Sequence, residues 1–373
     1  MTDQVDFLIV GGGIAGAGLG AELARRGRVL VIEMEGQPGY HATGRSVAFW
    51  TETYGGPLIQ PLTAASGPLM RQPEAGMGDA PFLSARGALH VGRESDRPVR
   101  DAMLAEFAGS SVDLNALDGA ALAARVPGLR PDWVLGIDEP SCEDIDAAAL
   151  HGAMLSAIRR QGSRVQGDCR LLSAQREGDG WLAQTSAGPV ACGVLVNAAG
   201  AWADEVARAC GVGPVGITPL RRTVVQLRID PAAPDDLPVI LDLAGSFYFK
   251  PVAGGRVWLS PHDEAPSDPC DAAPEELAVA QAIDRFQQVV DWRVEAVERR
   301  WAGLRSFAPD RLPIYGFDPF ARGFFWCAGQ GGWGIQTALA AAKMAAALAT
   351  GEAPESSVAA IDASVFDPGR FEI

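Results

Sequence analysis

A chain of 373 residues, 48% of them hydrophobic, is long enough for a large core and is more readily built as two domains than as one. Its formal charge of −15 excludes the basic face that a nucleic-acid partner would need. The longest apolar run, residues 338–349, is short, alanine-rich and broken by Lys343. The first ten residues carry acids where a secretory signal carries lysines, so a cytoplasmic protein without an integral membrane segment is expected.

In chain order, "DFLIV" reads as a buried strand, "GGGIAGAGLG" as a glycine turn, "AELARRG" as a helix ended by Gly27, and "RVLVIE" as a second strand. A helix is expected over "DIDAAALHGAMLSAIRRQG", capped by Asp144 or Asp146 and stopped by Gly162. Short strands follow, then the apolar run "CGVLVNAAGAW". From Pro214 to Arg300 the runs "RRTVVQLRI", "SFYFKP" and "RVWLSP" lack β-α-β spacing and point to a separate antiparallel sheet. They are interrupted by Pro/Asp-rich loops around 230–238 and 261–274 and by a helix, "PEELAVAQAIDRFQQVV", with Pro274 suited to its first turn. The C-terminus returns to the pattern of the N-terminus, with a strand "GFFWCAG", a glycine turn, an alanine-rich helix and Gly351. The fold class is therefore α/β with a separate, mainly antiparallel sheet: the chain leaves a first domain, builds a second and comes back. The six cysteines are scattered without a C-x-x-C pair and there are four histidines, so no metal site is expected.

Gly11, Gly13 and Gly16 form G-x-G-x-x-G directly after a strand and at the start of a helix. In that arrangement Gly11 permits the tight turn, Gly13 lets a pyrophosphate approach backbone amides, and Gly16 lets helix and strand pack closely. Glu33 ends the second strand about twenty residues on, where a carboxylate takes ribose hydroxyls and repels a 2′-phosphate, which disfavours NADP. Two further units, residues 194–203 and 327–338, each run from a buried strand into small residues. The second leads into a helix, whose N-terminus would stabilise the negative charge of a reduced flavin.

Together these stretches resemble the D-amino-acid-oxidase-type family of FAD-dependent oxidoreductases, and within it the bacterial D-arginine and D-amino acid dehydrogenases. The matching motifs are "IVGGGIAGAG", "QPGYHATGRS", "LTAAS", "DIDAAALH", "VLVNAAGAW", "SFYFKP", "WAGLRSF" and "GFFWCAGQGGWGIQTA", in order along nearly the whole chain. The resemblance implies a Rossmann-like FAD-binding domain over 1–84, 144–217 and 304–373 and a mainly antiparallel substrate domain over 85–143 and 218–303. It implies FAD, held noncovalently, since the position of cysteine-linked attachment in relatives falls near Trp301–Ala302. It implies cofactor contacts from Gly11, Gly13, Ile14, Ala15, Gly16, Glu33, Met34, Ala42, Thr43, Gly44, Arg45, Ser46, Ala199, Gly200, Gly331, Gly332, Trp333, Gly334 and Ile335. Arg45 and Ser46 are expected to offer donors to the anionic cofactor.

Arg222 and Arg305 stand where the local pattern prefers apolar residues. Either alone reads as a structural ion pair; together, and with Tyr54 and Tyr248 in aromatic strands, they read as a carboxylate site. The resemblance implies that these four residues hold an amino acid's carboxylate, with Thr51, the backbone of Gly303, and Gln336 near the amine or the flavin. Phe49 replaces a histidine of the D-arginine enzymes, and Ala88 replaces the carboxylate that meets the guanidinium. An unpaired buried charge there would cost about 3–5 kcal/mol. The implied reaction is therefore FAD-dependent oxidative deamination of a D-amino acid with an apolar or aromatic side chain, giving the 2-oxo acid and ammonia. Electrons would pass on to a quinone, another acceptor or oxygen. The alternatives are N-alkyl amino acid or glycine/sarcosine-type oxidation, 2-hydroxy acid dehydrogenation on the same fold, and a flavin-binding protein with a decayed site. Glu52 could serve a cationic substrate if it faces the pocket.

Overall fold

The computed structural model describes residues 2–78 and 80–371. The strand Asp3–Val10 lies inside an eight-stranded sheet, parallel to Val29–Ile32 on one side and to Gly188–Asn197 on the other. Val29–Ile32 in turn pairs in parallel with Arg164–Gln166, and Gly188–Asn197 with Phe324–Ala328. Leu8, Ile9 and all of Val29–Ile32 are buried, as continuous apolar runs must be when helices cover both faces of a parallel sheet. An antiparallel meander, Leu171–Glu177 and Gly180–Thr185, extends one edge.

The helices Ile14–Leu23, Ala147–Arg160 and Ala338–Thr350 pack together because glycine and alanine let them approach closely. A Cβ at Gly18 would sit 3.3 Å from Ala342, and one at Gly20 would sit 3.0 Å from Ile158. Asp146 caps the second of these helices by accepting from the Ala149 amide, and left-handed Gly351 ends the third. Four helices lie outside the sequence expectations: Gln60–Arg71, Arg97–Phe107, Gly119–Arg125 and Ala203–Ala209. The first carries Pro68 within it, which masks its helical pattern. Pro274 lies just ahead of the cap Glu275 of the helix Glu276–Val289 rather than in its first turn. Among the described residues no helix is long and apolar enough to cross a membrane.

The second sheet has nine strands. Its order runs Ala265–Pro266, Thr218–Asp230, Arg256–Ser260, Tyr248–Val252, Val239–Asp242, Ala88–Gly92, Leu135–Glu139 and Asn115–Asp118, with Arg293–Phe307 also paired to Thr218–Asp230. It is antiparallel except where Val239–Asp242 meets Ala88–Gly92. The helix Glu276–Val289 lays Val279, Ala282, Phe286 and Val289 into a core with Phe249, Val257 and Leu259. A small third sheet joins Phe49–Trp50, Glu143–Ile145 and Leu83–Ala85. The ribbon of Thr218–Asp230 and Arg293–Phe307 positions the site. Leu220 faces Arg305 and Arg222 faces Gly303, which makes the two arginines diagonal neighbours on one face.

Candidate active site

A cleft with a cavity volume of about 490 Å³ runs from the first glycine turn to these arginines. At one end it is lined by Gly11, Gly13, Ile14, Ala15, Glu33 and Met34. Gly11 has φ +109°, and a Cβ there would collide with the Ala198 carbonyl; a Cβ at Gly16 would collide with the carbonyl of Gly11. Both positions therefore require glycine, and the backbone forms a shallow cradle at the start of the helix. Glu33 accepts from the Gly12 amide at 2.8 Å and the Glu35 amide at 3.0 Å, which fixes a buried carboxylate at the cleft wall. Thr43 accepts from the Ile14 amide at 3.0 Å. The cradle, the helix terminus and the fixed acid fit a dinucleotide whose pyrophosphate meets amides and whose ribose meets Glu33.

The middle of the cleft is lined by Ala42, Thr43, Arg45, Ser46, Ala199, Gly200, Gly303 and the loop Gly331, Gly332, Gly334 and Ile335. Gly303 lies against the 42–45 turn; a Cβ there would come 3.3 Å from Arg45. Gly44 and Gly16 support the walls from behind, and Trp333 packs edge-on against Tyr54 and Phe307.

At the far end Arg222 is 4% exposed. Its Nε donates to the Asp263 carbonyl at 2.8 Å and its Nη2 to Glu264 at 3.2 Å. Its Nη1 is buried and has no hydrogen-bond partner among the described residues. Burial, and then the charge of Arg305, hold the Arg222 guanidinium below its ordinary pKa. Arg305 donates to the Tyr54 hydroxyl at 2.5 Å. A Cβ on Gly332 would collide with that hydroxyl, so glycine is what lets Tyr54 and Arg305 meet beside the loop. Tyr248 lines the same end, with Phe49 edge-on to its ring at 5.7 Å. Two cations, one with a buried donor that has no partner among the described residues, make a site that attracts a carboxylate.

Three expected roles change. The Arg45 guanidinium donates to the carbonyls of Ala272 and Ala302, at 3.0 and 2.9 Å, and pairs with Asp271. Its charge ties the 271–272 loop to the cleft instead of lying open to a phosphate, because a carboxylate and two carbonyls stand within reach. Ser46 lines the cleft; its hydroxyl accepts from the Ala48 amide and keeps its own O–H to donate. Thr51 is fully buried and donates to Glu139 at 2.6 Å, away from the cleft. Gln336 is likewise buried and donates to the Tyr54 carbonyl at 3.1 Å and to Thr63 at 2.9 Å, so it holds Tyr54 from behind. Glu52 does not line the cleft either. It accepts from Gln60 at 3.0 Å, and burial raises its pKa.

Several residues in or beside the cleft carry no signal in the sequence. His41 and Trp202 face each other at 4.7 Å, and His41 pairs with Glu35 at 2.9 Å. His262 sits edge-on to Tyr248 at 5.8 Å, with positive φ, and its Nδ1 is bonded to the Gly245 carbonyl. Burial, followed by the charges of Arg222 and Arg305, pushes its pKa down to about 3. It belongs to the Pro/Asp-rich loop 261–274, which from sequence alone is only a connection.

The chain has counterparts among known proteins. The profile of a family described as FAD dependent oxidoreductase matches residues 6–348. Glycine oxidase of Geobacillus kaustophilus is 26% identical over 88% of this chain and 89% of its own length. The bifunctional protein ThiO/ThiG of a Synechocystis strain is 26% identical over 86% of this chain. The mitochondrial dimethylglycine dehydrogenase of Rattus norvegicus is 24% identical over 89% of it. The chain spans 48% and 41% of the lengths of these last two. Among solved structures, the glycine oxidase of Geobacillus kaustophilus superposes with a TM-score of 0.85 at 22% identity, over 99% of this chain and 100% of the other. An L-proline dehydrogenase from P. horikoshii superposes with 0.86 at 20% identity, over 100% and 99%. These carry the fold. The relatives support the broad family rather than the finer likeness to D-arginine dehydrogenases.

Proposed function

Because the chain belongs to the FAD dependent oxidoreductase family, we propose that it oxidises the Cα–N bond of a small amino acid held by its carboxylate, with glycine or an N-alkylglycine as the first reading. FAD, when bound, supplies a two-electron acceptor for the hydrogen on Cα. Gly11, Gly13, Thr43 and Glu33 would hold it. The observation that carries the reading is the buried, unpartnered Nη1 of Arg222 beside the Arg305–Tyr54 pair. A carboxylate there completes the donor's hydrogen bonding, and pinning it orients Cα toward the 331–335 loop and Gly303. The three relatives named above, whose names refer to glycine and dimethylglycine oxidation or to ThiO, support a small substrate. The arginines stay charged, and the neutral His262 adds no charge to that end. Product analysis after turnover with an artificial acceptor, and separately with oxygen, tests the reading. A 2-oxo acid with ammonia or an alkylamine in equal amounts is expected. Turnover confined to 2-hydroxy acids would overturn it.

A second reading, an apolar D-amino acid, is favoured by the wall next to Tyr248. There Phe49 packs with Val47, Val224, Leu241 and Trp301, and Ala88 is fully buried. The nearby Lys250 is already paired with Asp144 at 2.7 Å. That wall offers no partner to a charged side chain, which argues against D-arginine on either reading.

A further inference from the structure

Glu139 takes no part in the cleft, yet it is fully buried at the end of the strand Leu135–Glu139. Its carboxylate accepts four hydrogen bonds. Oε1 takes the Thr51 hydroxyl at 2.6 Å and the Glu52 amide at 2.9 Å. Oε2 takes the Thr53 hydroxyl at 2.7 Å and His90 Nε2 at 3.1 Å. His90 is placed for this by the sheet: Ala88 pairs with Glu139 and His90 with Ile137, so His90 and Glu139 are diagonal neighbours. Three of the four donors come from consecutive residues, 51 to 53, immediately before Tyr54.

We propose that Glu139 is a positioning residue that sets the place of Tyr54, and through it the aim of Arg305 at the substrate carboxylate. The inference rests on the carboxylate reading of the site given above. Residues 49–54 form a short wall. At one end Phe49 lies edge-on to Tyr248; at the other the Tyr54 hydroxyl meets Arg305, and its carbonyl is held by Gln336. Between them the wall has no regular strand beyond Phe49–Trp50, so its backbone needs another anchor. Space alone could be filled by valine at positions 51 and 53 and by an apolar residue at 139, and buried charges so replaced often cost no stability. A buried carboxylate with four directed donors instead fixes position. Burial acts to raise its pKa, but His90 and the two threonine hydroxyls outweigh it and keep the group ionised. The titratable groups facing it are His90 from its own sheet and Glu52 from the wall.

The test uses the FAD-loaded protein and acetate, a carboxylate with no oxidisable C–N bond, with binding read from the bound flavin's absorbance well below each variant's melting temperature. Tyr54→Phe in the otherwise native protein is expected to weaken acetate about tenfold, the worth of one charge-assisted hydrogen bond. Glu139→Gln is expected to weaken it by a similar factor, and Tyr54→Phe added to Glu139→Gln by little more, because the hydroxyl is already misplaced. The pair Thr51→Val with Thr53→Val should behave as Glu139→Gln does, while Thr51→Ser with Thr53→Ser should bind as the native protein does. The valine pair carries the test if Glu139→Gln does not fold. Variants that melt earlier yet bind acetate natively, with the full Tyr54→Phe loss intact, would overturn the proposal. A native protein that binds no acetate would take down the carboxylate reading itself, and this proposal with it.

Discussion

Replacing Arg222 with Met isolates the clamp. The substitution keeps the length and apolar stem of the side chain and removes the guanidinium. In the free protein it deletes a donor to the Asp263 carbonyl and a 3.2 Å contact with Glu264. Glu264 keeps Arg311 at 2.9 and 3.0 Å, so the loop is not left with an unpaired acid. The stability loss is then about 1–2 kcal/mol. In the complex it deletes the charge-assisted bond that the free Nη1 offers a carboxylate, about 1.5–3 kcal/mol, or about 10- to 150-fold in affinity. A carboxylate stays bound while Cα reacts, so the loss falls mainly on KM and on acetate Kd, with kcat changed by less. The assay is steady-state kinetics across amino acid concentration, paired with acetate titration of the oxidised protein. An unchanged KM and acetate Kd in a protein that still folds and binds FAD would refute the clamp.

Gly11→Ala should give a protein that folds poorly or is purified without flavin, because the new Cβ collides with the Ala198 carbonyl at a φ that alanine rarely adopts; the flavin-to-protein absorbance ratio reads this directly. Glu33→Gln should weaken FAD about tenfold while leaving acetate binding of the loaded protein unchanged, as measured by flavin release on dilution. His262 gives a pH signature. Its folded pKa of about 3 lies below the unfolded value near 6.5, so the unfolded chain binds the proton between those limits and the folded chain does not. Its effect on stability is nil above about pH 6.5 and grows as pH falls towards 3. At about pH 5 the loss is about 1–2 kcal/mol after discounting for partial exposure. His262→Asn should therefore flatten the acid limb of the urea midpoint, and an unchanged limb would contradict the burial of a neutral ring.

What can be read from the sequence is local. The first glycine motif, Glu33 and the glycines of the 331–334 turn announce themselves because each answers a backbone demand within a few residues. The cap at Asp146 and the stop at Gly351 are legible for the same reason. Arg222 and Arg305 stand out as misplaced charges, but their diagonal relation depends on a long antiparallel register that no short window contains. Thr51 and Arg45 mislead for the opposite reason. Each looks like a free polar group in its own segment, while its partner lies far along the chain, Glu139 for Thr51 and Asp271 for Arg45. Gln336 turns away from the cleft because Thr63 and the Tyr54 carbonyl compete for its amide. His262 is silent because its neutrality is imposed by burial and by two arginines that only the folded ribbon brings near it.

The central claim is that a carboxylate, held by Arg222, Arg305 and Tyr54, is what the site recognises. Anaerobic mixing of the FAD-loaded protein with glycine, sarcosine and apolar D-amino acids, each beside its carboxamide, tests it most directly through the visible flavin band. The account predicts bleaching by at least one free acid and none by the matching amide, which leaves a buried guanidinium without its counter-charge. An amide that bleaches the flavin as fast as its acid would contradict it.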